Sequence, residues 1–333
     1  MKKVSKILSL FLAVLLIASA LTACSSKEEE KKILVGVQEI PSADYLARTA
    51  GYIDEAFSAL GYEVEFLTFS SGAKLNTALA SGEIDFGYIG SCPVANAIAS
   101  GIDIQAIYIH GIVGASESLV ASEASGVNAV ADLKGKVIAT PFASTAHYSL
   151  LNALKANGIA EADVELLDMQ PADIYAAWQR GDIDAAYVWE PTLSELTANG
   201  GKIILDSADV ADLGYMTCEI EVVRTEFADE HPDLVKAYAS ALEKATQLYI
   251  SNPEDAAEIV AKALEVSVED AALQMSGYVW DTGEVQNTKY FSNGVLAQTL
   301  YDTASFLVEQ GSVVSLPEKS VFDDACNNIG IAD

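Results

Sequence analysis

A segment that occurs twice constrains the fold of this chain more than any other feature. The two copies cover residues 80–88 and 179–187. Each copy runs from a helical pattern through a Gly to an acidic residue, then to Ile-Asp and a short apolar run. This order predicts a helix with a Gly C-cap followed by a strand. A turn and a Pro that can open another helix follow each copy. The repeated layout indicates two similar lobes.

Strand and helix patterns alternate along the rest of the chain. Apolar runs at 33–37, 64–68 and 137–139 predict buried strands, and a helical pattern follows each of them. This spacing is typical of parallel β-α-β units and predicts an α/β fold. In such sheets ligands bind beyond the carboxyl ends of the strands. We therefore expect a shared cleft where the strand-to-helix junctions of the two lobes meet.

The predicted lobes are discontinuous in sequence. We expect residues 33–119 to form the first part of lobe 1, residues 120–221 to form lobe 2, and residues 222–333 to return to lobe 1 as a largely helical part. The chain then crosses between the lobes twice, near 118–121 on the way out and near 221–224 on the way back.

Residues 1–23 predict a lipoprotein signal peptide. Three Lys residues give a positive start, and the apolar core at 7–20 is too short for a permanent membrane span. Leu-Thr-Ala-Cys, ending at Cys24, looks like a bacterial lipobox, in which the Cys becomes lipidated. Residues 24–32 are then the lipidated Cys and a charged linker. We expect an extracytoplasmic protein anchored to the cell membrane through this lipid.

The charge balance restricts the possible partners. The chain has 48 Asp and Glu against 19 Lys and Arg, a formal net charge of −29. Such a surface repels nucleic acid and anionic lipid head groups, so we exclude nucleic acid as a partner. A small anionic ligand would need local donors, namely backbone amides and hydroxyls.

The cysteines favour neither a disulfide framework nor a metal site. After Cys24 the chain contains Cys92, Cys218 and Cys326, an odd number, and no Cys-x-x-Cys. One disulfide is possible, but we expect none. With three His in the whole chain, metal-site spacing is missing, and we predict no metal and no cofactor.

Residues 140–151 predict a strand that ends at Pro141 and a helix that begins at Ser144 or Thr145. Free amides, two hydroxyls and the positive end of a helix dipole would meet there, which favours an anion. The alternative is an ordinary N-cap without a ligand.

Two longer motifs, at 144–151 and 176–189, resemble the extracytoplasmic solute-binding proteins of ABC importers in the nitrate, sulfonate and taurine group. Within that group the pattern is most similar to that of the taurine-binding branch. The resemblance implies a two-lobed type II periplasmic-binding-protein fold with two crossover segments. It also implies a monomer that closes on its ligand and delivers it to a permease with a cytoplasmic ATPase, and no enzymatic activity.

The resemblance also implies a set of site residues. Taurine joins a permanently anionic sulfonate to an ammonium group, so its site needs several hydrogen-bond donors and a carboxylate. The anion donors implied are Ser71, Ser91, Cys92, Ser144 and Thr145; the ammonium ligands are Glu219 and, as a second one, Glu190; Gln38 lies in the first loop, Trp189 is a wall, and His147 is a donor or a packing residue. For His147 a role as catalytic base is disfavoured, because a helix N-terminus favours the neutral imidazole.

Several alternatives remain open at this point. Glu219 and Glu190 could be surface carboxylates in an acidic chain. Ser70, Cys92 and Glu221 stand where the taurine-binding pattern has Asp, Ser and Trp, so the ligand could be another alkanesulfonate, nitrate or a thiamine-precursor pyrimidine. An enzyme on the same fold is a further alternative, although we find no nucleophile motif.

Overall fold

The computed structural model describes residues 31–326 and residue 330. The predicted signal peptide, the lipidated Cys24 and most of the linker lie outside the described residues. In the described part of the chain, no helix is both long and apolar enough to span a bilayer.

Strands and helices alternate as the sequence predicts. The strands are β1 (Lys32–Val37), β2 (Glu63–Thr68), β3 (Phe86–Gly90), β4 (Ile104–Val113), β5 (Glu117–Ser122), β6 (Val137–Thr140), β7 (Glu165–Asp168), β8 (Ala185–Trp189), β9 (Gly201–Asp206), β10 (Cys218–Arg224) and β11 (Tyr278–Val279). The α-helices are α1 (Ala43–Thr49), α2 (Tyr52–Ala59), α3 (Gly72–Ser81), α4 (Ser91–Ala99), α5 (Thr145–Ala156), α6 (Pro171–Arg180), α7 (Thr192–Ala198), α8 (Ser207–Asp212), α9 (Thr225–Glu230), α10 (Pro232–Ser251), α11 (Pro253–Leu264), α12 (Val268–Ser276), α13 (Gly283–Gln286), α14 (Val295–Glu309) and α15 (Lys319–Ala325). Short 3-10 turns and one π-helical turn connect some of them.

The strands form two mixed sheets. The first has the order β11-β4-β10-β3-β1-β2 and the second the order β7-β6-β8-β5-β9. In the first sheet β1 is parallel to β2 and β3, and β10 is antiparallel to both β3 and β4. In the second, β6 is parallel to β7 and β8, and β5 is antiparallel to β8 and β9. Each sheet thus has three parallel strands at one end, next to an antiparallel strand that belongs to a crossing segment, and the predicted α/β fold is confirmed.

The repeated segment has the same structure in both sheets. Its Gly ends the helix in the left-handed conformation, at φ +72° in the first copy and +73° in the second, where side chains with a Cβ are disfavoured. The Asp of the first copy, Asp85, accepts a hydrogen bond from the Leu34 amide at 3.0 Å. Asp184 of the second copy does the same with the Val137 amide, also at 3.0 Å. The Asp therefore fixes the start of the next strand against its neighbour in each lobe.

Helices cover both faces of each sheet. The first sheet packs on one face against α1, α2 and α10–α12 and on the other against α3, α4, α14 and α15. The second sheet packs against α5 on one face and against α6 and α7 on the other. Burial of large side chains such as Phe57, Phe86 and Tyr238 contributes about 1.5–3 kcal/mol for each of them.

The connections between the sheets lie a few residues before the positions expected from the sequence. The chain leaves the first sheet at Val113 and enters the second at Glu117, and it returns to the first sheet at Cys218. Residues 218–221, placed in lobe 2 by the sequence, pair with the first sheet, because β10 lies between β3 and β4 and pairs with both. The division into two lobes that move relative to each other remains a prediction.

An aromatic contact joins the two sheets away from the crossing segments. Tyr148 of α5 belongs to an apolar cluster of the first sheet. Its ring lies 5.0 Å from that of Phe306 in α14 and 6.2 Å from that of Tyr215, measured between centroids. The C-terminal helices thus contact the second sheet as well as the first.

Candidate functional site

A small cavity lies between the two sheets at the junctions of strands and helices. Its lining residues are Gln38, Ile40, Gly72, Gly90, Pro93, Ser144, Thr145, Trp189 and Glu219. The cavity volume is ≈ 20 Å³, roughly enough for one water molecule. A larger open groove of ≈ 440 Å³ at residues 98–105 contains none of the predicted site residues. The chemistry therefore points to the small cavity, and a ligand of several heavy atoms can enter it only if the lobes separate.

Five of the predicted site residues meet at this cavity. Gln38 and Glu219 come from the first sheet and Ser144, Thr145 and Trp189 from the second. The Gln38 amide donates a 3.4 Å hydrogen bond to the carbonyl of Tyr88, which fixes its orientation. Trp189 packs against apolar clusters of both sheets. The cleft predicted from the strand-to-helix junctions is present.

Helix N-termini supply the positive side of the cavity. Helix α3 begins at Gly72 and helix α5 at Thr145, and both residues line the cavity. The first amides of a helix have no acceptor within the helix, and its dipole favours an anion at this end. In α5 the Ser144 hydroxyl accepts from the amide of His147 at 3.1 Å. The predicted N-cap is therefore present. Thr145 and Ala146 are the first two residues of the helix, so their amides have no acceptor within it.

The hydroxyl protons predicted to hold an anion have other acceptors. The Ser144 hydroxyl donates to the carbonyl of Pro141 at 2.5 Å, and the Thr145 hydroxyl donates to Glu117 Oε2, also at 2.5 Å. A hydroxyl has one proton to give. In this conformation the anion donors at α5 are therefore backbone amides rather than the side chains expected from the sequence.

Glu219 supplies the carboxyl group of the cavity. The residue is 6% exposed, and its Oε2 has no hydrogen-bond partner among residues 31–326 and 330. Burial, followed by the charge of Glu117, raises its pKa well above the usual range. An unpaired buried carboxyl group is costly, so this acceptor is well suited to an ammonium group in the cavity.

Glu117, which is hydrogen-bonded to the cavity-lining residue Thr145, is a buried polar residue that the sequence analysis missed. It is 1% exposed at the start of β5 and accepts hydrogen bonds from Thr145 and from the Ser207 hydroxyl, the latter at 2.9 Å. Burial raises its pKa to about 7. The sequence did contain a signal for this residue. Glu117 is an acidic residue at the start of an apolar strand, and a buried acidic side chain is rarely without a partner.

Three predicted anion donors do not line the cavity. Ser71 is buried beside it as the N-cap of α3, without a side-chain cap bond. The hydroxyl of Ser91 accepts from the amide of Cys218 at 3.2 Å and so joins α4 to β10. Cys92 lies in an apolar cluster, and burial raises the pKa of its thiol. In the described part of the chain Cys92, Cys218 and Cys326 are free thiols.

Glu190 and His147 also have partners outside the cavity. Glu190 accepts from the amide of Ser194 at 3.0 Å, so its carboxylate faces the start of α7, and burial raises its pKa. His147 stacks on Phe142 with ring centroids 4.4 Å apart and planes at 6°. Burial lowers its pKa to about 4, so the ring is neutral at pH 7. Of the two roles predicted for His147, donor or packing residue, the stacking on Phe142 favours the packing residue.

A polar contact crosses the cleft at the surface. The Ser70 hydroxyl, which precedes α3, donates to the side-chain oxygen of Gln170 in the second sheet's half at 3.2 Å. Lys74 donates to the same hydroxyl at 2.9 Å. This contact can exist only while the two halves are close together.

Comparison with known proteins agrees with this geometry. The NMT1/THI5-like family matches residues 42–256. The chain belongs to this family. The taurine-binding periplasmic protein of Escherichia coli (strain K12) is 40% identical to it over 259 residues, which cover 76% of this chain and 79% of that protein. The family assignment made from the two motifs is thereby confirmed.

Solved structures show how far the fold of the family extends. The periplasmic aliphatic sulphonate binding protein SsuA from Escherichia coli superposes with a TM-score of 0.72 at 23% identity, over 87% of this chain and 96% of that one. The desulfurization enzyme DSZB superposes with a TM-score of 0.64 at 16% identity, over 90% and 98%. The predicted periplasmic-binding-protein fold is confirmed, and because the fold also occurs in an enzyme, function has to be argued from the site.

Proposed function

We propose that this protein is an extracytoplasmic solute-binding protein of an ABC importer that binds taurine or a related alkanesulfonate between its two lobes. The observation that carries the proposal is the pairing of two opposite features in one cavity. The N-termini of α3 and α5 lie on its lining, and so does Glu219, whose Oε2 is unpartnered within the described chain. A short zwitterion with an anion at one end and an ammonium at the other satisfies both.

A sulfonate suits this site better than an anion that can take up a proton. It stays ionised at every physiological pH and needs several donors but no proton acceptor. Among the described residues, the cavity lining contains no Lys, Arg or His, so the anion is held by amides and helix dipoles, whose strength does not depend on pH. The relative that is 40% identical carries a taurine-binding name, which supports this choice.

The transport role involves closure of the lobes. A ligand that contacts both lobes stabilises the closed state, and the closed form docks on the permease, whose cytoplasmic ATPase drives import. We further propose that Cys24 is lipidated, that the protein works as a monomer, and that it is no enzyme. The close relative is a binding protein, which supports the last point. Incorporation of labelled palmitate that is lost in Cys24→Ala tests the lipid anchor.

The ligand is tested by calorimetric titration of the mature domain at pH 7 with taurine and with isethionate, which has a hydroxyl in place of the amine. We expect taurine to bind and isethionate to bind at least about tenfold more weakly, the equivalent of 1.4 kcal/mol. Equal affinities would show a general sulfonate site in which Glu219 takes no part. Failure of every alkanesulfonate to bind would refute the proposal.

A further inference from the structure

We propose that Glu117 and Glu219 form a two-carboxylate site that binds the ligand's ammonium group in exchange for a proton, which makes Glu117 a specificity-determining residue. The inference rests on the proposed function, because Glu219 lines the same cavity and Glu117 is hydrogen-bonded to Thr145, which also lines it. Thr145 and Glu219 both lie next to Gly90. Glu117 is a second carboxylate that no sequence motif identified. With both carboxylates in the site, a proton must leave when the ligand's ammonium group enters.

Above the Glu117 pKa of about 7, one proton remains on this pair. Glu117 accepts two hydroxyl protons, from Thr145 at 2.5 Å and from Ser207 at 2.9 Å, and such donors favour the ionised form. Glu219 has an Oε2 without any donor in the described chain. Two buried carboxylates without a cation between them repel each other, so Glu219 keeps its proton in the ligand-free protein. The raised pKa of Glu219, caused by burial and by Glu117, agrees with this assignment.

Within residues 31–326 and 330, the groups that interact electrostatically with this pair supply no positive charge. They are Tyr88 in β3, Cys92 in α4, Tyr187 in β8, Cys218 in β10 and Tyr278 in β11. The groups that act on these neighbours in turn are acidic residues and a thiol, namely Asp44, Glu190, Asp206 and Cys326. Burial raises the pKa of each tyrosine and each thiol in this group, so they are neutral at pH 7. The counter-charge therefore has to come from the ligand.

The exchange is balanced in charge and atoms. The ligand enters as R–NH3⁺, the carboxyl proton of Glu219 leaves to solvent, and the resulting carboxylate accepts an N–H hydrogen bond. Glu117 belongs to β5 in the second sheet and Glu219 to β10 in the first. One ammonium between them thus also joins the two lobes. A sulfonate without an amine leaves the proton in place and gains neither contact.

The test is calorimetry of the mature domain in phosphate and in Tris, two buffers with different enthalpies of ionisation, between pH 7 and pH 8. We expect release of close to one proton for each taurine bound at pH 8, where Glu117 is ionised, and no release with isethionate. While Glu219 is protonated, taurine affinity should rise with pH by up to about tenfold per unit, and isethionate affinity should stay constant.

Variants separate the two carboxylates. Glu117→Gln keeps partners for both hydroxyls, because an amide accepts from one and donates to the other, but it removes the charge. We expect its taurine affinity at pH 8 to fall about tenfold, its proton release to fall below half that of the unchanged protein, and its isethionate affinity to stay the same. Glu258→Gln, an exposed change on α11, should leave all three quantities unchanged.

The outcomes distinguish this proposal from the proposed function. Taurine binding with equal heats in both buffers and a constant affinity would overturn the proton exchange and leave sulfonate binding intact. If neither sulfonate binds, β-alanine is titrated in the same way. Proton release with β-alanine would support the two-carboxylate site while refuting the sulfonate, and no binding of any of the three compounds would overturn both.

Discussion

The hydroxyl of Thr145 donates a 2.5 Å hydrogen bond to the carboxylate of Glu117. Both residues are buried, and Thr145 lines the cavity. The bond joins the start of α5 to β5 within the second sheet's half. It uses the one proton that Thr145 has to give, so the anion end of the site depends on backbone amides. Four predictions follow from this arrangement and its surroundings.

Ser144→Ala should destabilise the protein by about 1 kcal/mol through the loss of a helix cap, while taurine affinity changes less than tenfold. The reason is that the Ser144 hydroxyl proton is donated to Pro141 rather than to the cavity. Denaturant unfolding and calorimetry measure the two effects. Ser267→Ala, which removes the cap of α12 away from the cavity, is the matched control for stability. A loss of affinity of a hundredfold or more would mean that the Ser144 hydroxyl turns toward the ligand.

Gly90→Ala should prevent full closure. A Cβ at this position would lie 2.9 Å from Thr145 Cγ2, too close to the facing lobe, and in ordinary contact with Glu219 Oε1 at 3.5 Å. We expect taurine affinity to fall at least about tenfold, with little change in unfolding because the open form relieves the contact. In Gly87→Ala, the control in the same strand, the nearest atom would be at 3.4 Å. Small-angle scattering should show that saturating taurine compacts the control but not Gly90→Ala; equal compaction would contradict the prediction.

Glu117 should make stability depend on pH in a definite direction. Burial raises its pKa from 4.5 to about 7, so the folded protein holds a proton that the unfolded chain has lost between these values. Stability therefore falls as pH rises from 4.5 to 7, by up to about 3 kcal/mol from this residue. Unfolding by urea at pH 5 and pH 8 should show a smaller decrease in Glu117→Gln than in the unchanged protein. An identical decrease in both would show that Glu117 is ionised throughout this range.

Gln170→Ala should weaken taurine binding slightly, by up to about tenfold, and mainly through faster dissociation. Its side chain accepts from the Ser70 hydroxyl across the cleft at 3.2 Å, and an intramolecular hydrogen bond contributes about 0.5–1.5 kcal/mol. Stopped-flow fluorescence of the cavity-lining Trp189 measures both rates. Gln247→Ala, which loses only a bond to Glu243 in its own helix, should change neither rate. A slower association with unchanged dissociation would argue against a contact specific to the closed form.

The agreement between sequence and structure is best where local chemistry decides. The Gly and Asp of the repeated segment have the same roles in both sheets, because a left-handed C-cap and a strand start are set by a few neighbouring residues. The Ser144 cap is local in the same sense. These elements, the α/β fold and the family resemblance were all accessible before the structure.

The predictions that differ from the structure concern side chains whose contacts are set by tertiary packing. Glu190, Ser91 and Cys92 stand at the correct strand-to-helix junctions, yet their side chains are occupied by α7, by β10 and by the core. Position along the chain gives the junction, whereas the direction of a side chain depends on what packs against it.

By itself, the sequence determined the alternation of strands and helices, the segment repeated in both sheets, the family, and Glu219 and the α5 N-terminus as candidates for the two ends of a ligand. Only the tertiary structure decided that Glu117, 102 residues before Glu219 in the sequence, is hydrogen-bonded to Thr145 in the cavity lining and that two hydroxyl protons are already donated elsewhere. The physical reason is that the pKa of a buried carboxyl group and the free protons of a hydroxyl depend on neighbours brought together by folding, and local sequence does not specify those neighbours.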